Sequence, residues 1–90
     1  MEHHAIRFAK QFAEEVRVEM ARQHRTARDL AVVLSVTPAT AGTRINGDVP
    51  FTASEMMSAS HWLGLTLSAM TARAEQALEQ QSGRELAVAS

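Results

Sequence analysis

The sequence predicts an all-α domain of five helices, and three observations lead to that expectation. Apolar residues recur at spacings of three and four instead of in alternation. Helix-start signals, a threonine with an acidic residue three positions on or a threonine directly before proline, punctuate the chain. No segment alternates β-branched and polar residues between turn signals, as a half-buried strand would.

Helix one follows from Phe8, Phe12, Val16 and Met20, which recur every four residues with Ala9 and Ala13 beside them and span about Ile6 to Gln23. Helix two opens at Thr26, a capping residue with Asp29 in the first turn. It buries Leu30, Ala31 and Leu34, and ends near Ser35. Helix three opens at Thr37-Pro38, where the threonine caps free amides and proline sacrifices no needed hydrogen bond. Asn46-Gly47-Asp48 stops it, and Pro50 keeps the following segment extended. The capping box Thr52-Ala-Ser-Glu55 starts helix four, with Met56, Ala59, Ser60 and Leu63 on one side and Gly64 at its end. Leu67, Met70, Ala74 and Leu78 mark helix five. Periodicity weakens from Ser82, so the expected organisation is a folded domain over 1–81 and a tail over 82–90 that is flexible or ordered by a partner.

Composition narrows the function. Ninety residues, 46% apolar and 21% charged, make one small domain with no room for a multidomain enzyme. The absence of cysteine removes disulfides, thiolate metal sites and cysteine nucleophiles, and points to a reducing cytoplasm. Met56 to Ala72 carries no charge, yet its serines, threonines and His61 dilute it too far for a membrane span, and Met-Glu-His-His does not read as an export signal. His3, His4, His24 and His61 lack the spacing of a helical metal site. Ser58 or Ser60 beside His61 lacks a nucleophile-elbow context, and glycine is too sparse for a phosphate loop. The expectation is therefore no enzyme, no metal and no cofactor. The pairs Glu15/Glu19 and Glu75/Glu79 read as solvated outer faces.

The net charge of -1 argues against indiscriminate coating of nucleic acid, but the charges are unevenly placed. Basic residues outnumber acidic ones through Gly47, and the reverse holds beyond it. Arg22, Arg25 and Arg28 crowd one short segment with Asp29 as the acidic neighbour, forming either a local positive patch or a plain solvated corner.

The unusual feature is the junction of helices two and three. Ser35, Val36 and Thr37 alone separate two short helices, which must cross steeply while Val36 plugs the corner, as in a helix-turn-helix. At about 100° per residue, Ala41 and Ile45 point one way; Ala39, Thr43 and Asn46 cluster opposite, with Thr40 adjacent. A small, polar outer face suits a helix that enters the major groove closely. Methyl groups of Ala39, Thr40 and Thr43 can meet thymine methyls, and Arg44 or Asn46 can supply a hydrogen-bonding contact.

The run from Thr26 to Gly47, followed by Pro50, the capping box and Trp62-Leu-Gly-Leu, resembles the Cro and phage-repressor type of helix-turn-helix domain, the XRE-like family, over about Phe8 to Leu78. The resemblance implies a compact lambda-repressor-like bundle that binds double-stranded DNA as a transcriptional regulator, commonly a repressor, without chemistry. It makes Pro38, Ala39, Thr40, Thr43 and Asn46 groove contacts, with Arg44 as a further candidate on the flank. Arg22, Arg25, Arg28 and Thr37 are the expected phosphate contacts. Ala27 replaces the family's glutamine, leaving that phosphate anchor to backbone amides or Arg28, and Ser35 replaces its turn glycine. Ala41 replaces a branched residue, and Arg44 replaces an often apolar one, its stem covering the core edge while the guanidinium reaches out. A homodimer through helix five, with Leu86 and Val88 in the tail, is expected because one small reader has limited specificity. The rival reading is an antitoxin-like or adaptor module that holds another protein through Met56, Met57, Trp62 and helix five.

Overall fold

Four threonines start four of the five helices. A computed structural model describes residues 2–89, with side chains described for residues 3–85, and contains α1 (Glu2–Arg22), α2 (Ala27–Leu34), α3 (Pro38–Ile45), α4 (Ala53–Trp62) and α5 (Leu67–Ala89). Thr26, Thr37, Thr52 and Thr66 each accept a backbone N–H three residues on, at 3.2, 3.1, 3.2 and 3.0 Å. Each cap satisfies an otherwise orphaned amide and stabilises its helix by about 1 kcal/mol. Asp29 and Glu55 reciprocate by accepting the backbone N–H of Thr26 and Thr52, both at 2.9 Å.

The helix ends share a second device. After α1, α2, α3 and α4 the chain closes with paired backbone bonds around a left-handed residue: His24, Ser35, Gly47 and Gly64 respectively, with φ of 58°, 58°, 79° and 80°. The residue after each turn donates back to the helix, as Val36 does to the Ala31 carbonyl and Leu65 to that of Ser60. Val36 and Leu65 then pack against the core, so the turns after α2 and α4 also drive an apolar side chain inward.

The core is built on the α1 stripe. Phe12, Val16 and Met20 are buried with Leu30 and Ala31 of α2, Ala41 of α3, Ala59 and Leu63 around α4, and Met70 and Ala74 of α5. Phe8 packs at its edge. Full burial of a side chain such as Phe12 or Leu30 contributes about 1.5–3 kcal/mol. Phe51 belongs to this core as well, meeting Phe12 edge-on at 5.7 Å between centroids. Its burial is invisible to periodicity because it stands in the loop between α3 and α4. Ser60 is fully buried, its hydroxyl donating to the Met56 carbonyl at 2.7 Å.

Several expectations are corrected. α1 starts at Glu2 and α5 runs on to Ala89, past the anticipated boundaries at Ile6 and Ser82. The two helices lie antiparallel, as shown by Glu19 with Arg73, Gln11 with Gln81 and Arg7 with Glu85 in opposite chain order. The described contacts between them reach as far as Arg7 and Glu85, at 3.9 Å. The side chains of Leu86 and Val88 lie outside the described residues. Glu19 is not on a solvated face: it is 8% exposed and accepts from Gln23 at 3.0 Å, Arg73 at 2.9 Å and Arg22 at 3.3 Å. The hydrogen bond from Gln23, and next that from Arg73, hold its carboxyl below the ordinary carboxylate range against the opposing effect of burial. Gln23 also donates to the Leu63 carbonyl at 2.8 Å, so this node ties the end of α1 to α4 and α5. No helix among the described residues is long and apolar enough to cross a membrane.

Candidate nucleic-acid interface

The α2–α3 unit is a helix-turn-helix. Ser35 supplies the left-handed turn at φ 58°, ψ 44°, Val36 packs inward, and Thr37 caps α3 with Pro38 in its first turn. α3 buries Ala41 and turns Ile45 toward the core, which leaves its opposite side outward. Pro38, Ala39 and Asn46 are exposed on that side, with Thr40 and Thr43 half-buried.

The threonine hydroxyls are engaged within the element. Thr37 Oγ1 donates to Thr40 Oγ1 at 3.0 Å while accepting the Thr40 N–H, and Thr43 Oγ1 donates to the Thr40 carbonyl at 2.7 Å. No acidic residue stands in the first turn of α3, so the positive end of its dipole is not neutralised there.

Arg44 does not reach outward as its sequence position suggests. Its Nε donates to Glu55 Oε1 at 2.9 Å, and both side chains are largely covered, at 16% and 14% exposure. The same oxygen accepts the Thr52 N–H. One carboxylate therefore caps α4 and pins the end of α3 to it. The Arg44 hydrogen bond is the main cause holding the Glu55 carboxyl below its usual range, opposed by burial and assisted by Thr52. The sequence shows Glu55 as a capping residue, but its second partner lies across an irregular loop, where no periodic signal connects the two.

The expected phosphate contacts separate into different environments. Arg28 is exposed and has no ion-pair partner among the described residues. Arg22 is exposed and pairs with Glu19 at 3.3 Å. Arg25 lies over the Trp62 ring at 4.7 Å, a cation–π contact that half-covers both. The pair borders an open depression of about 420 Å³ with Asp29, Val32 and Val33. Asp29 is held below the usual carboxylate range chiefly by the Thr26 backbone N–H, which keeps it charged as a cap.

This fold is shared with the clp gene regulator ClgR from Corynebacterium glutamicum. One ClgR crystal structure matches with a TM-score of 0.80 and 20% identity, covering 90% of this chain and 86% of that chain. A second ClgR structure gives 0.70 and 20%, covering 78% of this chain and 91% of its own. A structure of FeII HppE in complex with substrate matches at 0.60 and 25% identity, over 69% of this chain and 36% of that one. No family model and no curated protein matches the sequence. The likeness to ClgR is one of fold, and the residues of α3 and its supports must carry any functional argument.

Proposed function

We propose that this chain is a sequence-specific regulator of transcription that binds double-stranded DNA with α3 in the major groove and acts by occupancy, without catalysis. The observation that carries this reading is the outer face of α3. Pro38, Ala39 and Asn46 stand exposed on a short helix fixed by the Ser35 turn, with Thr40 and Thr43 beside them and no long charged side chain extending from that face. An α-helix fits the groove closely when its outer residues are small. Arg28 and Thr37 flank the face as phosphate contacts, with Arg22 and Arg25 farther along the α1–α2 corner. ClgR, described as a gene regulator, supports regulation as the task of the shared fold.

The finer affiliation with Cro and phage repressors rests on the residue pattern from Thr26 to Gly47. A single reader of this kind buries about 600–1,000 Å² on DNA, so two copies joined through α5 on a two-fold site form the expected assembly, in the cytoplasm of a bacterial or phage-infected cell. The adaptor alternative loses part of its surface: Met56 packs against the core and Trp62 lies under Arg25, leaving Met57 as the exposed member of that trio. Selection from a pool of random duplexes at low salt tests the proposal. Enrichment of one defined motif is the expected result, and recovery of an unselected pool contradicts it.

A further inference from the structure

Resting on that DNA reading, we propose that α3 selects its site through the 5-methyl groups of pyrimidines, with Ala39 and Thr43 as methyl-reading residues and Asn46 as the polar reader. Hydrogen-bond readout in the major groove needs free donors or acceptors, and the strongest discrimination comes from bidentate Arg, Asn or Gln. In α3 most of these are engaged, and the half-buried Thr40 hydroxyl is the one that keeps its own hydrogen. Arg44 is held by Glu55 at 2.9 Å. The Thr43 hydroxyl hydrogen goes to the Thr40 carbonyl and that of Thr37 to Thr40 Oγ1. Pro38 and Ala39 carry only carbon in their side chains and are exposed.

Asn46 alone keeps an exposed side-chain amide, and it stands beyond the last turn. The first two turns of α3 therefore offer a base edge mainly methyl and methylene groups. The apolar group that a base presents in the major groove is the thymine 5-methyl. A cytosine methylated at the same carbon presents the same group, so the reader responds to the methyl and not to the base that bears it.

The test uses the full chain and the duplex recovered by selection. Replacing individual thymines in that duplex by deoxyuridine removes the methyl and leaves base pairing unchanged. At the contacted positions the dissociation constant is expected to rise about fourfold, corresponding to about 0.8 kcal/mol for one buried carbon group. At those same positions, a cytosine–guanine pair is expected to bind more tightly when the cytosine carries a 5-methyl. Two variants separate the methyl from the hydroxyl of Thr43, with thermal melting confirming that each folds. Thr43→Val keeps a methyl and loses the hydroxyl, and retains affinity; Thr43→Ser keeps the hydroxyl and loses the methyl, and binds about fourfold more weakly. Uracil-containing duplexes that bind like the parent, or weakening by Thr43→Val with Thr43→Ser unaffected, overturn the methyl reading while leaving DNA binding intact. Failure to select any duplex overturns both.

Discussion

Ser35 and His24 occupy left-handed backbone that costs a residue with a Cβ about 1 kcal/mol, and both are exposed. Their side chains have no packing role that would repay the strain. Replacing either by glycine is expected to leave stability unchanged or raise it by up to about 1 kcal/mol, relief of strain outweighing added chain entropy. Urea denaturation checks this, and a loss well beyond about 0.5 kcal/mol at Ser35 contradicts the strained-turn account. The position of Ser35 was legible because two capped helices stood so close together that the link had to reverse sharply. His24 was not, because Gln-His-Arg carries no turn signal. The paired bonds from His24 to Ala21 and from Arg25 to Met20 create the left-handed site instead.

At the scale of the elements, two carboxylates do what propensity cannot. Glu55 joins α3 to the start of α4, and Glu19 joins α1 to α5, each through a charge-assisted bond of 2.9 Å to arginine. Arg44→Met leaves Glu55 with Thr52 as its remaining partner. A loss of about 1–3 kcal/mol is expected in chemical denaturation, the range for a hydrogen bond to a charged group in a partly buried site. DNA affinity is also expected to fall, since α3 loses its anchor to α4. Glu19→Gln removes the charge facing Arg73. Its cost is expected to be smaller, about 1 kcal/mol, because Arg73 is 40% exposed and solvent screens the pair. Both carboxyls titrate below their unfolded value, so their stabilisation is complete above that value, about 4.3, and is lost as pH falls through the lower folded one. The melting temperature is expected to be nearly flat from neutrality to about pH 5 and to drop below about pH 4, less steeply for Glu19→Gln. An equally steep acid limb in that variant contradicts the role given to Glu19. Neither joint was legible in the sequence. Glu19 resembles an ordinary i, i+4 surface acid, and the arginine that buries it lies far along the chain.

For the whole molecule, the order of helices and their buried faces followed from spacing and caps, because each cap and each apolar stripe is local. What spacing could not supply was the long α1–α5 pairing, the placement of Phe51 and the capture of Arg44, all set by contacts between distant segments. The net charge of -1 means that binding to nucleic acid depends on a few placed cations. Arg28→Ala is expected to weaken all duplexes about equally and to lower the slope of log affinity against log salt by about 0.9, and an unchanged slope removes Arg28 from the phosphate contacts. Deleting residues 82–90 is expected to loosen the proposed homodimer in sedimentation while leaving the rest of the bundle folded, and a monomer both before and after the deletion contradicts that proposal. The central claim, that the outer face of α3 enters DNA, is tested most directly by the affinity of Ala39→Glu for the selected duplex. Ala39 is exposed near the positive end of α3, where an acidic side chain favours the helix, so the variant is expected to melt like the parent. Placed in the groove, the same carboxylate meets a wall of phosphates, and affinity is expected to fall by about 100-fold or more. Unaltered affinity in a folded Ala39→Glu protein contradicts the account.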